Sequence, residues 1–438
     1  MRRLLRYSGL AALAAIVAVA LMTVGGVLNT PSGPVSVSNA GPGGNAAADR
    51  LSADIARAQE RLRTLPKDWR TWAALGSAYV EQARVSADPT YYPKAEGAAR
   101  RSLELRPDGN ADALIALGSL ANARHDFAAG RTDALAALAA NGYSADAYGV
   151  LADARTQLGD AAGATDAVQH MLDLRPGLAA YARASYDLEL RGKASEASDL
   201  MRRALSSALD PHDVAFCRNQ LGDLAWQSGD LALAQREYTA GITADATSIA
   251  LRRGQARADA AAGRLDAALA GYADVTSRTP TPGYLIEYAD LLRMAGRSAD
   301  SATQLGLAEA AQRLFTDNGG IDGLVTASLA IATGHPAEAI TAARAEWGRR
   351  QHVDVADTLA WALHAAGQNT EALGYAQRVA ATGARDAVYA YHLGAIEAAL
   401  GQWPAARTDL SRALATNPYF SPTEVPVARA LLAQAVAR

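Results

Sequence analysis

Along most of the chain, apolar residues recur at helical spacing, and short polar breaks divide them into one helical stretch after another. A glycine followed by a polar or charged residue closes many of these stretches. The series runs Gly159-Asp160, Gly192-Lys193, Gly229-Asp230, Gly263-Arg264, Gly296-Arg297, Gly334-His335, Gly367-Gln368 and Gly401-Gln402, with glycines 33, 37, 34, 33, 38, 33 and 34 residues apart. Five residues after each glycine stands Ala164, Ala197, Ala234, Ala268, Ser301, Ala339, Ala372 or Ala406. Seven residues before it stands another small residue: Ala152, Ser185, Gly222, Ala256, Ala289, Ala327, Ala360 or Gly394.

Each part of this pattern has a physical reason. A glycine after a helix accepts the left-handed conformation that reverses the chain, which a residue with a Cβ resists. Small residues two turns before the glycine and early in the next helix let the two helices touch. Prolines at Pro66, Pro107, Pro176, Pro280 and Pro418 stop helices at the expected distance. The pattern predicts an array of helical hairpins over residues 68–420. A capping helix at 49–67 has apolar positions Leu51, Ile55, Leu62 and Leu65. A closing helix at 421–438 carries Val427, Leu431 and Val436. Repeat arrays need such caps because an end unit lacks a neighbour. Extra residues at 85–93, 208–213 and 315–320 are expected in loops.

Composition supports helices throughout. Half of the 438 residues are hydrophobic but only 6% are aromatic, and alanine is the commonest residue. An alanine-filled core requires close backbones, and alanine is the best helix former. Runs of valine and isoleucine are scarce beyond the first 37 residues, which leaves strands little support. The 42 basic and 45 acidic residues nearly balance, so no nucleic-acid partner is expected. Only Lys67, Lys94 and Lys193 are lysines, a bias typical of a GC-rich genome. The single cysteine, Cys217, excludes an internal disulfide framework and a cysteine-rich metal site.

The N-terminus reads as an address. Arg2, Arg3 and Arg6 precede an uncharged, apolar run from Ser8 to Leu28, long enough to cross a hydrocarbon core. The positive-inside rule keeps the arginines in the cytoplasm and sends the rest across. Residues 1–28 are therefore a signal anchor or a cleaved signal peptide. The repeats then belong to a single-pass protein of the cell membrane, outside the cytoplasm, or to a secreted one. Residues 29–48, rich in Pro, Gly, Ser and Asn, read as a flexible spacer.

The repeat resembles the tetratricopeptide repeat, whose 34-residue unit carries a W-x₂-L-G-x₂-Y segment, then alanine, an aromatic and proline. Trp72, Leu75, Gly76 and Tyr79 match that segment in full, with Ala95 and Pro107 completing the unit. Leu221, Gly222, Gly229, Ala234 and Tyr238 match in the middle, and Ala390, Leu393, Gly394, Gly401, Ala406, Ala413 and Pro418 near the end. Tyr288-Ala289 and Thr326-Ala327 replace the Leu-Gly pair in two units, and His125 replaces a turn glycine. The resemblance, to a bacterial, membrane-anchored or exported member of that family, implies an all-α solenoid. About ten units would form a right-handed superhelix whose concave wall is built from first helices.

No phosphate-cradling glycine loop, HExxH, GxSxG or CxxC occurs, and no catalytic residue, metal or cofactor is expected. The segment Asp317-Asn318-Gly319-Gly320-Ile321-Asp322 lacks the alternating oxygen ligands of a calcium loop. The seven histidines are scattered over different units, and His364 and His392 fall at different helical phases. What the resemblance implies instead is a groove for a protein or peptide ligand. Counting from the Leu-Gly pairs places Asn219, Asp223, Trp226, Arg253, Arg257, Asp290, Arg293, Asp357, Trp361, His364 and Tyr391 on its wall. The arginines either meet the ligand or pair with Asp223 and Asp290. One subclass of the family clamps a partner's carboxylate with lysine and asparagine. With almost no lysine here, arginine would have to take that role. The chain thus reads as a non-enzymatic scaffold outside the cytoplasm, or alternatively as an accessory carrier for a cell-envelope glycan.

Overall fold

The computed structural model describes residues 46–438, with side-chain environments from Arg50 onward. The apolar run from Ser8 to Leu28 and nearly all of the spacer lie outside the described residues. α1 (Ala46–Thr64) is followed by helix pairs: α2 (Trp69–Ser86) with α3 (Tyr92–Leu105), α4 (Ala111–Ala123) with α5 (Phe127–Ala140), and α6 (Ala145–Leu158) with α7 (Ala161–Leu174). Next come α8 (Leu178–Leu190) with α9 (Ala194–Ser207), α10 (Pro211–Gln227) with α11 (Leu231–Ala244), and α12 (Ile249–Ala261) with α13 (Leu265–Arg278). Then follow α14 (Pro282–Met294) with α15 (Ser298–Asp317), α16 (Gly323–Ala332) with α17 (Pro336–Arg349), and α18 (Val353–Ala365) with α19 (Asn369–Ala381). α20 (Ala387–Ala399) pairs with α21 (Trp403–Thr416), and α22 (Val425–Val436) closes the described chain. No strand interrupts the helices among the described residues.

The repeated glycine and its polar follower divide one task between them. The eight turn glycines all have φ between 72° and 83°, the left-handed region. The next residue is the N-cap of the second helix. Where it is aspartate, its carboxylate accepts the amide three residues on, as Asp160 does from Gly163 and Asp230 from Leu233. All sixteen small residues that flank the turns are buried. His125 takes the place of a turn glycine at φ 61°. The extra residues behave differently from one another. Pro89–Tyr91 form a 3-10 turn, while those at 315–317 prolong α15.

Tyr238 shows how tightly the hairpins interlock. Its ring is fully buried and lies between Gly222 of α10 and Gly254 of α12. A Cβ on Gly254 would approach the ring to 2.5 Å, and one on Gly222 would approach it as closely. The small residue at position 222 is therefore demanded by a ring on the second helix of the same hairpin.

Successive first helices touch one another, α4 on α6, α10 on α12 and α16 on α18, so they line the inside of the coil. The coil then closes on itself. Ile321 N donates to Arg124 O at 2.9 Å, Gln351 N to Leu158 O at 3.4 Å, and Asn417 Nδ2 to Trp226 O at 2.9 Å. Arg350, 3% exposed, donates through Nη1 to Gln157 Oε1 at 2.6 Å, 193 residues away. In each case the turn that ends a first helix meets the segment leading into the first helix six hairpins later. Gly192 lies against the Gly383 carbonyl in the same way, leaving no room for a side chain.

Gly222→Ala should lower stability by about 1–2 kcal/mol, because overpacking against Tyr238 outweighs the gain in helix propensity. Gly97→Ala, in α3 with no atom near the added methyl, should raise it by up to about 1 kcal/mol. Urea unfolding of both variants beside the wild type measures the contrast.

Candidate functional site

Closure turns the inside of the coil into a chamber of about 440 Å³, a size that suits ligand sites. Residues of α8, α10, α12, α14, α16, α18 and α20 line it, and the segment from Asn417 to Arg429 completes the wall. Met294, 43% exposed, stands where the lining meets solvent.

Five of the eleven residues expected on the concave wall line this chamber: Asp223, Trp226, Arg257, Asp290 and Trp361. The other six stand behind it or support it. Asn219 is buried and donates from Nδ2 to Asp223 at 3.0 Å. Arg253 is buried and donates from Nε to Glu287 at 2.8 Å. Arg293 is paired with Asp290. Tyr391 has no exposed surface. Asp357 is held by His392, whose Nδ1 lies 2.9 and 3.0 Å from its two carboxylate oxygens. His364 packs on Trp361 with ring centroids 4.8 Å apart. His392 stacks on the same indole at 3.9 Å, so the two histidines meet at one tryptophan.

The wall arginines are engaged within the wall. Arg257 is paired with Asp223, donates to the Tyr238 hydroxyl at 2.8 Å, and lies 4.5 Å over the Trp226 ring. Tyr238 in turn donates to Asp223 at 2.8 Å, and Tyr272 to Glu287 at 2.9 Å. This is the second of the two arrangements open to the arginines. The reason is repeat geometry: Arg253 and Glu287 are 34 residues apart, as are Arg257 and Asp223, so each pair sits at matching positions of adjacent first helices. Tyr389 and Asp354, 35 residues apart, bond in the same way.

Sequence reasoning missed the carboxylates Glu189, Glu287, Asp354 and Asp386, which all line the chamber. A search for opposite charges one period apart finds Glu287. Glu189 and Asp386 carry no such sign, because they come from opposite sides of the closure. Neither has a basic partner. Glu189 accepts from Gln227 Nε2 at 2.7 Å, and Asp386 accepts from Val388 N at 2.6 Å as the cap of α20. Burial pushes Glu189 up to about 7, only partly offset by that Gln227 hydrogen bond, and pushes Asp386 up to about 6. Asp354 behaves oppositely. Burial opposes its charge, yet His352 beside it and the Tyr389 hydroxyl hold it below the usual carboxylate range. His392 is fully buried, which disfavours its cation. Asp357 and, at 3.8 Å, Glu424 nevertheless raise it to about 10 and so tie the C-terminal segment to α20.

Asp322, at the end of the segment compared with a calcium loop, caps α16 through Val325 N at 3.0 Å and sits 3.4 Å from His125. Among the described residues, no group of three or more His, Cys, Asp or Glu side chains is placed to hold a metal ion. No helix among them is long and apolar enough to cross a membrane.

Fold and site together define an α-solenoid of helical hairpins that coils around a chamber. No family model matches the chain, and no curated protein matches it. Among solved structures it is similar to a tetratricopeptide repeat protein from Parabacteroides merdae, with 16% identity, covering 59% of this chain and 98% of that one, at a TM-score of 0.36. It is also similar to yeast Tom70, with 13% identity, covering 89% and 86% of the two chains, at a TM-score of 0.36. A third similar structure is the APC/C hetero-tetramer Cut9–Hcn1, with 12% identity, covering 89% and 94%, at 0.34.

The raised Glu189 pKa fixes a sign. Between about pH 4.5 and 7 the folded chain keeps a proton that the unfolded chain has lost, so this residue makes stability fall as pH rises through that window. Glu189→Gln, which keeps an acceptor for Gln227, should melt above the wild type at pH 8, with the difference vanishing near pH 4. Thermal unfolding followed by circular dichroism across that range measures it.

Proposed function

We propose that this chain is a non-enzymatic binding protein that grips a segment of a partner polypeptide in its chamber. The observation that carries this reading is a concave wall whose lining combines apolar side chains with buried polar atoms that have no hydrogen-bond partner. Trp361 Nε1 and Arg257 Nε, on two residues that line the chamber, are buried and have no hydrogen-bond partner among the described residues. Buried polar groups are normally satisfied, so such groups point to a ligand that completes them. The state of the phenols also supports binding over catalysis. Burial and neighbouring carboxylates push Tyr238, Tyr272 and Tyr389 up, the opposite of an activated nucleophile or base.

The N-terminal arginines and the apolar run from Ser8 to Leu28 support an extracytoplasmic setting, either anchored to the membrane or released after cleavage. The binding protein then works as a scaffold on the outer side of that membrane. A photo-crosslinking amino acid in place of Met294, at the chamber, is compared in living cells with one in place of Leu209, 95% exposed. Adducts specific to Met294 and mapping to one recurrent polypeptide segment are expected. Adducts of glycan alone, or none above the Leu209 level, would overturn the polypeptide reading. External protease added to spheroplasts should digest the repeats, and protection would overturn the extracytoplasmic placement.

A further inference from the structure

Resting on that reading, the geometry points to the class of segment the chamber takes: one that presents a lysine or arginine side chain to Glu189 and Asp386 where the coil closes. Six carboxylates line the chamber against two guanidinium groups, those of Arg257 and Arg429. Four of the six have basic partners on the same wall: Asp223 with Arg257, Glu287 with Arg253, Asp290 with Arg293, and Asp354 with His352. Glu189 and Asp386 have none, although burial makes their ionisation costly enough to raise both. An ammonium or guanidinium entering beside them offsets that cost, and a carboxylate entering there is repelled.

The position of the two groups sharpens the argument. Glu189 lies in the last turn of α8 and Asp386 caps α20, both beside the seam where Gly192 rests on Gly383, and the Asp386 charge is among those that raise Glu189. A cation held between them crosslinks two turns of the coil, so binding and closure reinforce each other. The indole of Trp361, 2% exposed on the chamber lining with its Nε1 buried and without a hydrogen-bond partner, is a second, independent sign of a ligand, since it does not belong to the acidic set. A polypeptide is favoured over a free amine because the same chamber has an apolar side, with Ile286, Leu291, Met294 and Ile331. The methylene stem of lysine or arginine and an apolar neighbour in the segment suit that surface.

The test uses the full chain in detergent at pH 8 and its Glu189→Gln/Asp386→Asn variant. Asparagine still caps α20 and glutamine still accepts from Gln227, so the variant keeps its local hydrogen bonds. Random heptapeptides displayed on phage are selected against both proteins. Against the wild type, lysine plus arginine should rise at least threefold above the unselected library, and should return to the library level against the variant. A synthetic selected peptide should bind the wild type at least tenfold more tightly than its norleucine counterpart. Selected peptides without a basic excess, or with an excess unchanged in the variant, would overturn the inference and leave the polypeptide-binding reading standing. Binding of spermidine with no peptide selected by either protein would overturn both.

Discussion

Everything distinctive about this molecule depends on the contact between one turn of the coil and the next. Hairpins stacked by small residues make a solenoid, but stacking alone leaves an open groove. Here the turns at Arg124, Leu158, Gly192 and Trp226 rest on the segments that begin α16, α18, α20 and α22. The seam uses a backbone group on at least one side in each case; at Gly159, Gly192 and Gly229 it relies on the missing Cβ of the turn glycine, while at the first turn His125 takes that place. A Cβ at Gly159 would sit 2.5 Å from the Gln351 carbonyl, and one at Gly229 would sit 2.7 Å from that of Thr416. By contrast, the turn glycines at 263, 296, 334, 367 and 401 face open space. The same residue type thus serves chain reversal everywhere and close approach only along the seam.

The inner wall carries a second organising pattern. Opposite charges one repeat apart pair across adjacent first helices and stay buried, which costs solvation but excludes other registers of the stack. Asp153 and Arg183 do this between α6 and α8, with 2.9 and 2.7 Å contacts. Asp357 and His392 do it between α18 and α20. Where the pattern lapses, at Glu189 and Asp386, a carboxylate is left with its charge uncompensated inside the coil.

The hairpins, their turns and their packing faces were legible in the sequence because they obey a local rule. The same few small residues recur at fixed offsets from each turn. The lining of the chamber was partly legible: Trp226, Arg257 and Trp361 follow from counting along first helices. Two things were not. Tyr391 was expected on the wall because it shares a helical face with wall residues, yet it does not line the chamber and is fully covered, with Phe420 and Val425 in its cluster. Asn417 reaches Trp226 over 191 residues, and no periodicity encodes a contact of that span. It follows from the coil's pitch, which accumulates from small angles at every hairpin.

The stretch from Asn417 to Arg429 has a consequence for biosynthesis. Linear repeat arrays acquire their binding surface piecemeal, unit by unit, as the chain leaves the ribosome. This chamber shares its wall between hairpins that begin at α8 and a segment made more than two hundred residues later. A nascent or prematurely ended chain therefore has stacked, soluble-looking hairpins but no enclosed chamber. The wall of the chamber is thus completed in a single late step, when the segment from Asn417 to Arg429 takes its place.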